Sequence, residues 1–183
     1  MADPEFAALG AVDAPPVGLV LDVFAEVYAE PPYCEGQAEV DEFARAWPGR
    51  VALPGFQLNV AVEDGRVVGF AFGFELPTDT TWWSGALGPL EVDVAEWPGR
   101  TFALFELAVV AAGRRRGIGT RLHGLTVSRV TAERVTLAVR PEPEAAPARA
   151  AYLKWGYRKV GQVRPGEGFP VYDVMVADRD ALA

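Results

Sequence analysis

Three consecutive arginines followed by two glycines form a segment with clear chemical potential. The arginines are residues 114–116, and the glycines are Gly117 and Gly119. An apolar, strand-like run ends just before this segment, and a helix-like run begins just after it. The first turn of a helix has backbone N–H groups without internal partners and carries partial positive charge. Glycines let an anion approach those donors, and arginines add bidentate contacts, so the segment predicts a binding site for a phosphate-like anion.

Two common phosphate-binding motifs do not fit this segment. A P-loop requires a lysine directly after its second glycine, and no lysine follows Gly117 or Gly119. A dinucleotide fingerprint requires a third glycine three residues after Gly119, where the sequence has Leu122. The simpler alternative is a solvated run of arginines on a tight turn. The segment alone leaves both interpretations open.

A second segment makes the pattern more specific. A tyrosine stands four residues before a Gly-aromatic pair, and the first segment fits the pattern Gln/Arg-x-x-Gly-x-Gly/Ala. The matching residues are Arg114, Gly117, Gly119, Tyr152, Gly156 and Tyr157. The two segments resemble those of the GNAT superfamily of acetyl-CoA-dependent N-acetyltransferases, and the order of helices and strands over residues 56–177 agrees with this resemblance. The resemblance implies an α/β fold of the α+β kind, with a mostly antiparallel sheet, one splayed parallel strand pair and helices on both faces.

The resemblance also implies acetyl-CoA as cosubstrate and assigns residues to it. In such proteins the turn's backbone N–H groups hold the CoA diphosphate, and the preceding strand bonds the pantetheine arm. The matching residues are Leu107, Ala108, Val109, Arg114, Arg115, Arg116, Gly117, Ile118, Gly119 and Thr120. Two departures accompany the match. Ala145 stands where the family commonly has an asparagine, and residues 7–16 have only a weak strand pattern, so we expect the first strand to be short or absent.

Acetylation of an amine needs a base for the ammonium proton and an acid for the departing thiolate. Each positioned group contributes about 10²–10⁴ in rate. The resemblance makes Tyr152 the acid, and the alternative is a tyrosine that only packs on the sheet. Glu106 lies inside the apolar run FALFELAVV, where a carboxylate is costly unless it is paired or used. We interpret Glu106 as the base, and its alternative is an ion pair with an arginine.

Five further residues are weaker candidates for contacts with the amine acceptor. Tyr28, Tyr33 and Glu35 stand where the family's first two helices border the acceptor site. Trp82 and Trp83 lie in the irregular segment 77–100, which is longer than compact domains usually tolerate. These two tryptophans either roof a substrate pocket or cover an edge of the core.

Composition and charge narrow the class of partner. The 183 residues carry 17 basic and 25 acidic side chains, a net charge of −8, which argues against nucleic-acid binding and favours a small cationic acceptor. A single cysteine, Cys34, and a single histidine, His123, leave no internal disulfide and no metal cluster to build. No apolar run of membrane-spanning length and no signal-peptide pattern occur, so we expect a cytoplasmic protein without membrane contact.

The remaining sequence predicts the elements that position these residues. Helical spacing predicts a helix over residues 17–30 and a second, short helix around residues 40–47 that Pro48-Gly49-Arg50 ends. Alternating apolar residues from Phe56 onward predict a hairpin whose turn is Asp64-Gly65. After the irregular segment, the pattern continues as strand, helix, strand, helix, strand, strand. A strand–helix–strand unit of this kind usually makes two strands parallel.

The resemblance implies an N-acetyltransferase that moves an acetyl group directly from acetyl-CoA to a primary amine in a ternary complex, without a metal. Two alternatives stay open: a protein or peptide amine as acceptor, and a non-catalytic, regulatory acyl-CoA-binding module. Both a monomer and a homodimer are compatible with the sequence. The first six residues, MADPEF, are typical of a cloning scar, so we expect one domain over residues 7–183.

Overall fold

The computed structural model describes residues 3–182, and within them the chain forms seven strands and four α-helices. The strands are β1 (Glu5–Gly10), β2 (Gln57–Glu63), β3 (Arg66–Glu75), β4 (Thr101–Val109), β5 (Arg134–Val139), β6 (Arg158–Val163) and β7 (Tyr172–Asp178). The helices are α1 (Leu21–Tyr28), α2 (Gln37–Val51), α3 (Ile118–Val127) and α4 (Ala146–Lys154). None of the helices in this described part is long and apolar enough to cross a membrane.

The seven strands form one mixed sheet in the order β1-β2-β3-β4-β5-β7-β6. The pairs β1-β2, β2-β3, β5-β7 and β6-β7 are antiparallel, and β4 pairs with β5 in parallel. The parallel pairing joins Thr101–Ala103 to Arg134–Thr136 and extends no further along β4. The expectation of a mostly antiparallel sheet with one parallel pair is confirmed.

The chain divides into two compact units, which we describe one at a time. The first unit contains the chain up to Phe74 and residues Leu104–Arg129, and the second contains Glu75–Ala103 and the chain from Val130 onward. Strand β4 contributes its first three residues to the second unit and its last six to the first.

Helices cover both faces of the sheet in the first unit. Phe43 and Trp47 of α2 pack on Phe72 of β3, with ring centroids 6.1 Å and 5.1 Å apart. On β2, Asn59 donates to Thr126 of α3 at 2.9 Å, and its cross-strand partner is Ala71, the residue next to Phe72. Because neighbouring strand residues point to opposite faces, α2 and α3 lie on opposite sides of the strands.

A close approach between β3, β4 and α3 explains one glycine of the hairpin. A Cβ at Gly69 would lie 3.0 Å from the carbonyl oxygen of Ala108 and 3.3 Å from a methyl group of Leu122. No larger residue fits there without displacing a neighbour.

In the second unit, the irregular segment 77–100 is fastened to the strands. The backbone N–H groups of Leu87 and Glu91 donate to the carbonyls of Gln162 and Val160 at 2.9 Å and 2.7 Å. These bonds cover the outer edge of β6, which would otherwise be open to pairing with another chain. Further inward, Glu96 and Arg134 form an ion pair at 2.9 Å, with both side chains at most 8% exposed.

Three expectations about the elements are wrong. Strand β1 is neither absent nor short: it pairs with β2 over six residues and includes Glu5 and Phe6, which the sequence analysis left outside the domain. Helix α1 begins at Leu21, four residues later than expected, after a short 3-10 turn. Helix α2 does not end at Pro48 but continues to Val51, and Trp47 and Arg50 on either side of the proline pack on rings of β3 and β4.

Candidate active site

The arginine-glycine segment forms the turn that leads from β4 into α3. Gly117 is the residue before the helix and has φ +82°, a conformation that favours glycine. The first helical hydrogen bond runs from the N–H of Arg121 to the carbonyl of Gly117 at 2.9 Å. The N–H groups of Ile118, Gly119 and Thr120 precede that bond, and no side chain of the described residues caps this end. They are therefore available to an external acceptor.

Two of the three arginines are held by carboxylates of the protein. Arg114 donates from Nε to the carbonyl of Val109 at 3.0 Å and from Nη1 to Glu30 at 2.7 Å. Arg116 forms a bidentate pair with Glu63 of β2, at 3.0 Å and 2.6 Å, and this bond lowers the pKa of Glu63 below its ordinary value. These pairs brace the turn against its neighbours in the first unit. The sequence analysis missed both glutamates, since each lies more than 50 residues from its arginine.

Arg115 differs from its two neighbours. It is exposed, has φ +60°, and takes part in none of the ion pairs among residues 3–182. Space is open around the glycines as well: a Cβ on Gly117 would meet no atom within 4 Å, and one on Gly119 would meet only a methyl of Val109 at 3.8 Å. The turn thus combines free backbone donors, an accessible arginine and room for a diphosphate, so it fits the CoA group that the family uses.

The strand residues expected to bind the pantetheine arm precede this turn directly. Leu107, Ala108 and Val109 are the last three residues of β4, beyond the stretch that pairs with β5. Ala108 is buried, and its carbonyl faces Gly69 as described above. The end of β4 and the turn that follows it therefore belong to the same unit. One extended cosubstrate that bound along the strand end and the turn would need this arrangement.

Glu106 stands one residue before this strand end and has a strongly perturbed environment. Its carboxylate accepts a hydrogen bond from the hydroxyl of Tyr28 at the end of α1. Burial raises the pKa of Glu106 to about 7, and the nearby charge of Glu35 adds to this effect. The Tyr28 hydrogen bond and the positive charge of Arg50 oppose it. The carboxyl therefore exchanges a proton near neutral pH, as a general base must.

The tyrosine that contacts this carboxyl belongs to a group of aromatic rings in the first unit. The ring of Tyr28 stacks on Phe24 at 4.5 Å and meets Tyr33 edge-on at 4.6 Å, measured between centroids. The backbone N–H of Glu35 donates to the carbonyl of Tyr28 at 2.8 Å, which ties the connector after α1 to the end of that helix. The structure thus brings Tyr28, Tyr33, Glu35 and Glu106 together.

Arg50 is a residue of this cluster that the sequence analysis missed. Its guanidinium lies 4.6 Å from the ring centroid of Phe105 and 5.1 Å from that of Phe43. Burial lowers the pKa of Arg50 below its ordinary value, against the charges of Glu106 and Glu42. The residue was missed because the Pro-Gly-Arg sequence was interpreted as the end of the second helix.

The proposed acid belongs to the second unit. Tyr152 lies on α4, is 8% exposed, and its ring meets those of Trp155 and Tyr157 edge-on at 5.6 Å and 5.8 Å. Burial raises the pKa of Tyr157 above its ordinary value. The packing of Tyr152 fixes its ring, and its role as acid stays a prediction.

Trp82 and Trp83 also lie in the second unit, where both donate hydrogen bonds. Trp82 donates from Nε1 to Thr136 at 3.2 Å, and Trp83 donates to Glu96 at 2.9 Å. Trp83 is 8% exposed, and the guanidinium of Arg134 lies 5.3 Å from its ring centroid. These contacts anchor the segment 77–100 to the strands of this unit. Among residues 3–182, no group of three His, Cys, Asp or Glu side chains is placed to hold a metal ion.

Comparison with known proteins identifies the family. The family model described as the acetyltransferase (GNAT) family matches residues 21–157. The protein therefore belongs to the GNAT acetyltransferase family and is an acyltransferase. Members of this family transfer acetyl groups from acetyl-CoA to amines. No curated protein sequence matches the chain.

Solved structures of this family share the fold at low sequence identity. An aminoglycoside 6′-acetyltransferase type Ii is 19% identical with a TM-score of 0.58, covering 96% of this chain and 97% of its own. The ribosomal-protein-S18-alanine N-acetyltransferase from Escherichia coli is 16% identical with a TM-score of 0.59, covering 96% and 93%. A GNAT family acetyltransferase from Elizabethkingia anophelis with acetyl-CoA bound is 11% identical with a TM-score of 0.56, covering 97% and 99%. At such identities the likeness shows the fold alone.

Proposed function

We propose that the protein transfers an acetyl group from acetyl-CoA to the primary amine of a small molecule, and that Glu106 is the general base. The observation that carries this proposal is the environment of Glu106. Its carboxyl is hydrogen-bonded by Tyr28, has a pKa raised to about 7, and directly precedes the strand end and turn that fit the cosubstrate.

The base has a defined task, because an amine attacks only when it has lost the ammonium proton. At neutral pH a carboxylate with a pKa near 7 is half ionised and can accept that proton, directly or through one water. The negative charge of the ionised Glu106 attracts the ammonium group, and the hydrogen bond from Tyr28 keeps the carboxylate oriented. Proton transfer is most efficient when the pKa of the base lies near the pH of the solution, as it does for Glu106 at pH 7.

Acetyl-CoA, when bound, supplies the activated acetyl thioester. We assign its diphosphate to the backbone N–H groups of residues 115–120 and to the guanidinium of Arg115, and its pantetheine arm to Leu107–Val109. Arg114 and Arg116 support the turn through their carboxylate partners. Tyr152 is our candidate for protonating the departing sulfur, a role that rests on its match to the family position.

The acceptor side of the proposal rests on charge and aromatic rings. Glu106 accepts a hydrogen bond from Tyr28, whose ring meets that of Tyr33, and the charge of Glu35 is close enough to raise the pKa of Glu106. Carboxylates and aromatic rings suit an ammonium group through ionic and cation–π contacts. Trp82 and Trp83 stay weaker candidates, since both are already engaged in the second unit. The net charge of −8 also favours an acceptor with a positive amine over an acidic one.

The test is a screen of amines in which release of the CoA thiol is followed at pH 7. We expect the wild-type protein to acetylate at least one small primary amine. Glu106→Gln should lower kcat/KM by about 10²–10⁴ without changing the affinity for CoA. The exposed Glu167→Gln is the matched control and should behave as wild type. Wild-type CoA binding without thiol release for any amine would favour the regulatory module, and activity only toward peptides would favour the protein-directed alternative.

A further inference from the structure

Beside the candidate base lies a positive charge that the proposed reaction does not use. We infer that Arg50 binds a carboxylate on the acceptor, so that the acceptor is a small amino carboxylate with its amine at Glu106 and its carboxylate at Arg50. This inference rests on the proposed function, because it takes Glu106 as the end of the site that receives the amine.

The position of Arg50 is fixed by stacking. Its guanidinium lies against Phe105, the neighbour of Glu106 on β4, and against Phe43 on α2. Phe43 stacks on Phe24 at 4.0 Å between centroids, and Phe24 stacks on Tyr28, the hydrogen-bond partner of the base. One continuous aromatic cluster therefore holds both the arginine and the tyrosine that contacts the base.

The guanidinium has a buried donor that the described part of the protein does not satisfy. The Nη1 atom of Arg50 is buried and has no hydrogen-bond partner among residues 3–182. None of the ion pairs formed by those residues includes Arg50, although the charges of Glu106 and Glu42 are close enough to affect it. A buried charged donor without a partner is costly, and such a group calls for a ligand or water that completes it.

The chemistry of a guanidinium identifies the ligand class. Its planar fork of N–H donors matches a carboxylate in a bidentate geometry, which a lysine or an amide cannot reproduce. The carboxyl of Glu106, close enough to Glu35 for that charge to raise its pKa, offers negative charge to an ammonium group. An acceptor with both groups would meet a complementary charge at each end, whereas a simple cationic amine would leave Arg50 unpaired and a peptide N-terminus would bring no carboxylate there.

The test compares free L-amino acids with their carboxamides, which keep the amine and lose the carboxylate charge. Binding to the CoA-loaded protein is measured by calorimetry at pH 7, so the readout does not depend on turnover. We expect at least one amino acid to bind about 10- to 100-fold more tightly than its amide. Arg50→Gln should weaken the amino acid to the level of the amide and leave the amide unchanged. Arg50→Lys, which keeps the charge and loses the fork, should retain part of the preference.

Arg45→Gln on the same helix is the control, because Arg45 is exposed and pairs with Glu42 on the surface. It should keep the full preference. Equal binding of acids and amides, no binding of any amino acid, or equal weakening of both by Arg50→Gln would overturn the inference. If amino acids and their carboxamides serve equally well as acceptors in the thiol-release assay, the proposed function stands and only the carboxylate site is refuted. Arg50-dependent binding without acetylation would refute the proposed function instead.

Discussion

Removal of the Tyr28 hydroxyl should move the acidic limb of the pH profile upward. The hydroxyl donates to the carboxylate of Glu106 and so stabilises its charged form, which keeps its pKa from rising above about 7. A hydrogen bond to a charged group contributes about 1.5–3 kcal/mol, and one pKa unit corresponds to about 1.4 kcal/mol. Tyr28→Phe should therefore raise the pKa of Glu106 by about 1–2 units. At pH 7 the ionised fraction falls from about one half to between a tenth and a hundredth, so kcat/KM should fall about 5- to 50-fold.

The assay is kcat/KM for thiol release between pH 6 and 10, with the same acceptor for both proteins. The acceptor's own titration is common to both, so the ratio of the two kcat/KM values reports the protein alone. The ratio of the wild-type to the Tyr28→Phe value should be largest at low pH and should fall to a constant, smaller value above the raised pKa. A ratio that is equal at every pH would refute the reasoning, because the hydroxyl would then act on something other than the ionisation of Glu106.

Two further predictions concern stability, measured by urea denaturation. Gly69→Ala should lower the free energy of unfolding by about 1–3 kcal/mol through overpacking. Gly124→Ala is the control: its Cβ would meet nothing within 4 Å, so the substitution should be neutral or stabilising. Equal effects of the two substitutions would contradict the close approach at Gly69. Glu96→Gln should lower the free energy of unfolding by about 3–5 kcal/mol, because it leaves the buried charge of Arg134 without its partner. Asp180→Asn removes a carboxylate from an exposed ion pair and should lower it by less than about 1 kcal/mol. If Glu96→Gln has no larger effect than Asp180→Asn, the Glu96–Arg134 pair does not hold segment 77–100.

The fold could be predicted where the sequence pattern is local. The hairpin over β2 and β3 follows from alternation and from the Asp64-Gly65 turn, and the structure confirms it. Strand β1 was missed because it is an edge strand with little burial, so its residues carry no alternating pattern. The end of α2 was misplaced because the packing of Trp47 and Arg50 against distant strands is not visible in the helix's own sequence.

The candidate site shows the same division. The turn and the carboxylate inside an apolar strand are local signals, so the sequence alone makes both of them candidates. Their partners are not local: Tyr28 is 78 residues from Glu106 in sequence, and Arg114 is 84 residues from Glu30. Arg50 gave no signal at all, since an arginine near a helix end is ordinary and only its stacking on Phe105 makes it unusual. A site whose residues come from distant segments of the sequence can be recognised only in the folded structure.

The most direct test of the account is a calorimetric titration of acetyl-CoA into the wild-type protein and into Gly117→Glu. The substitution puts a negative side chain into the open space of the turn. Gly168→Glu is the matched control, because Gly168 has φ +81° and is equally open, so it carries the same backbone strain at a different site. We predict micromolar binding by the wild type and by the control, and none by Gly117→Glu. Absence of binding by the wild type, or equal binding by all three, would contradict the assignment of the cosubstrate to this turn.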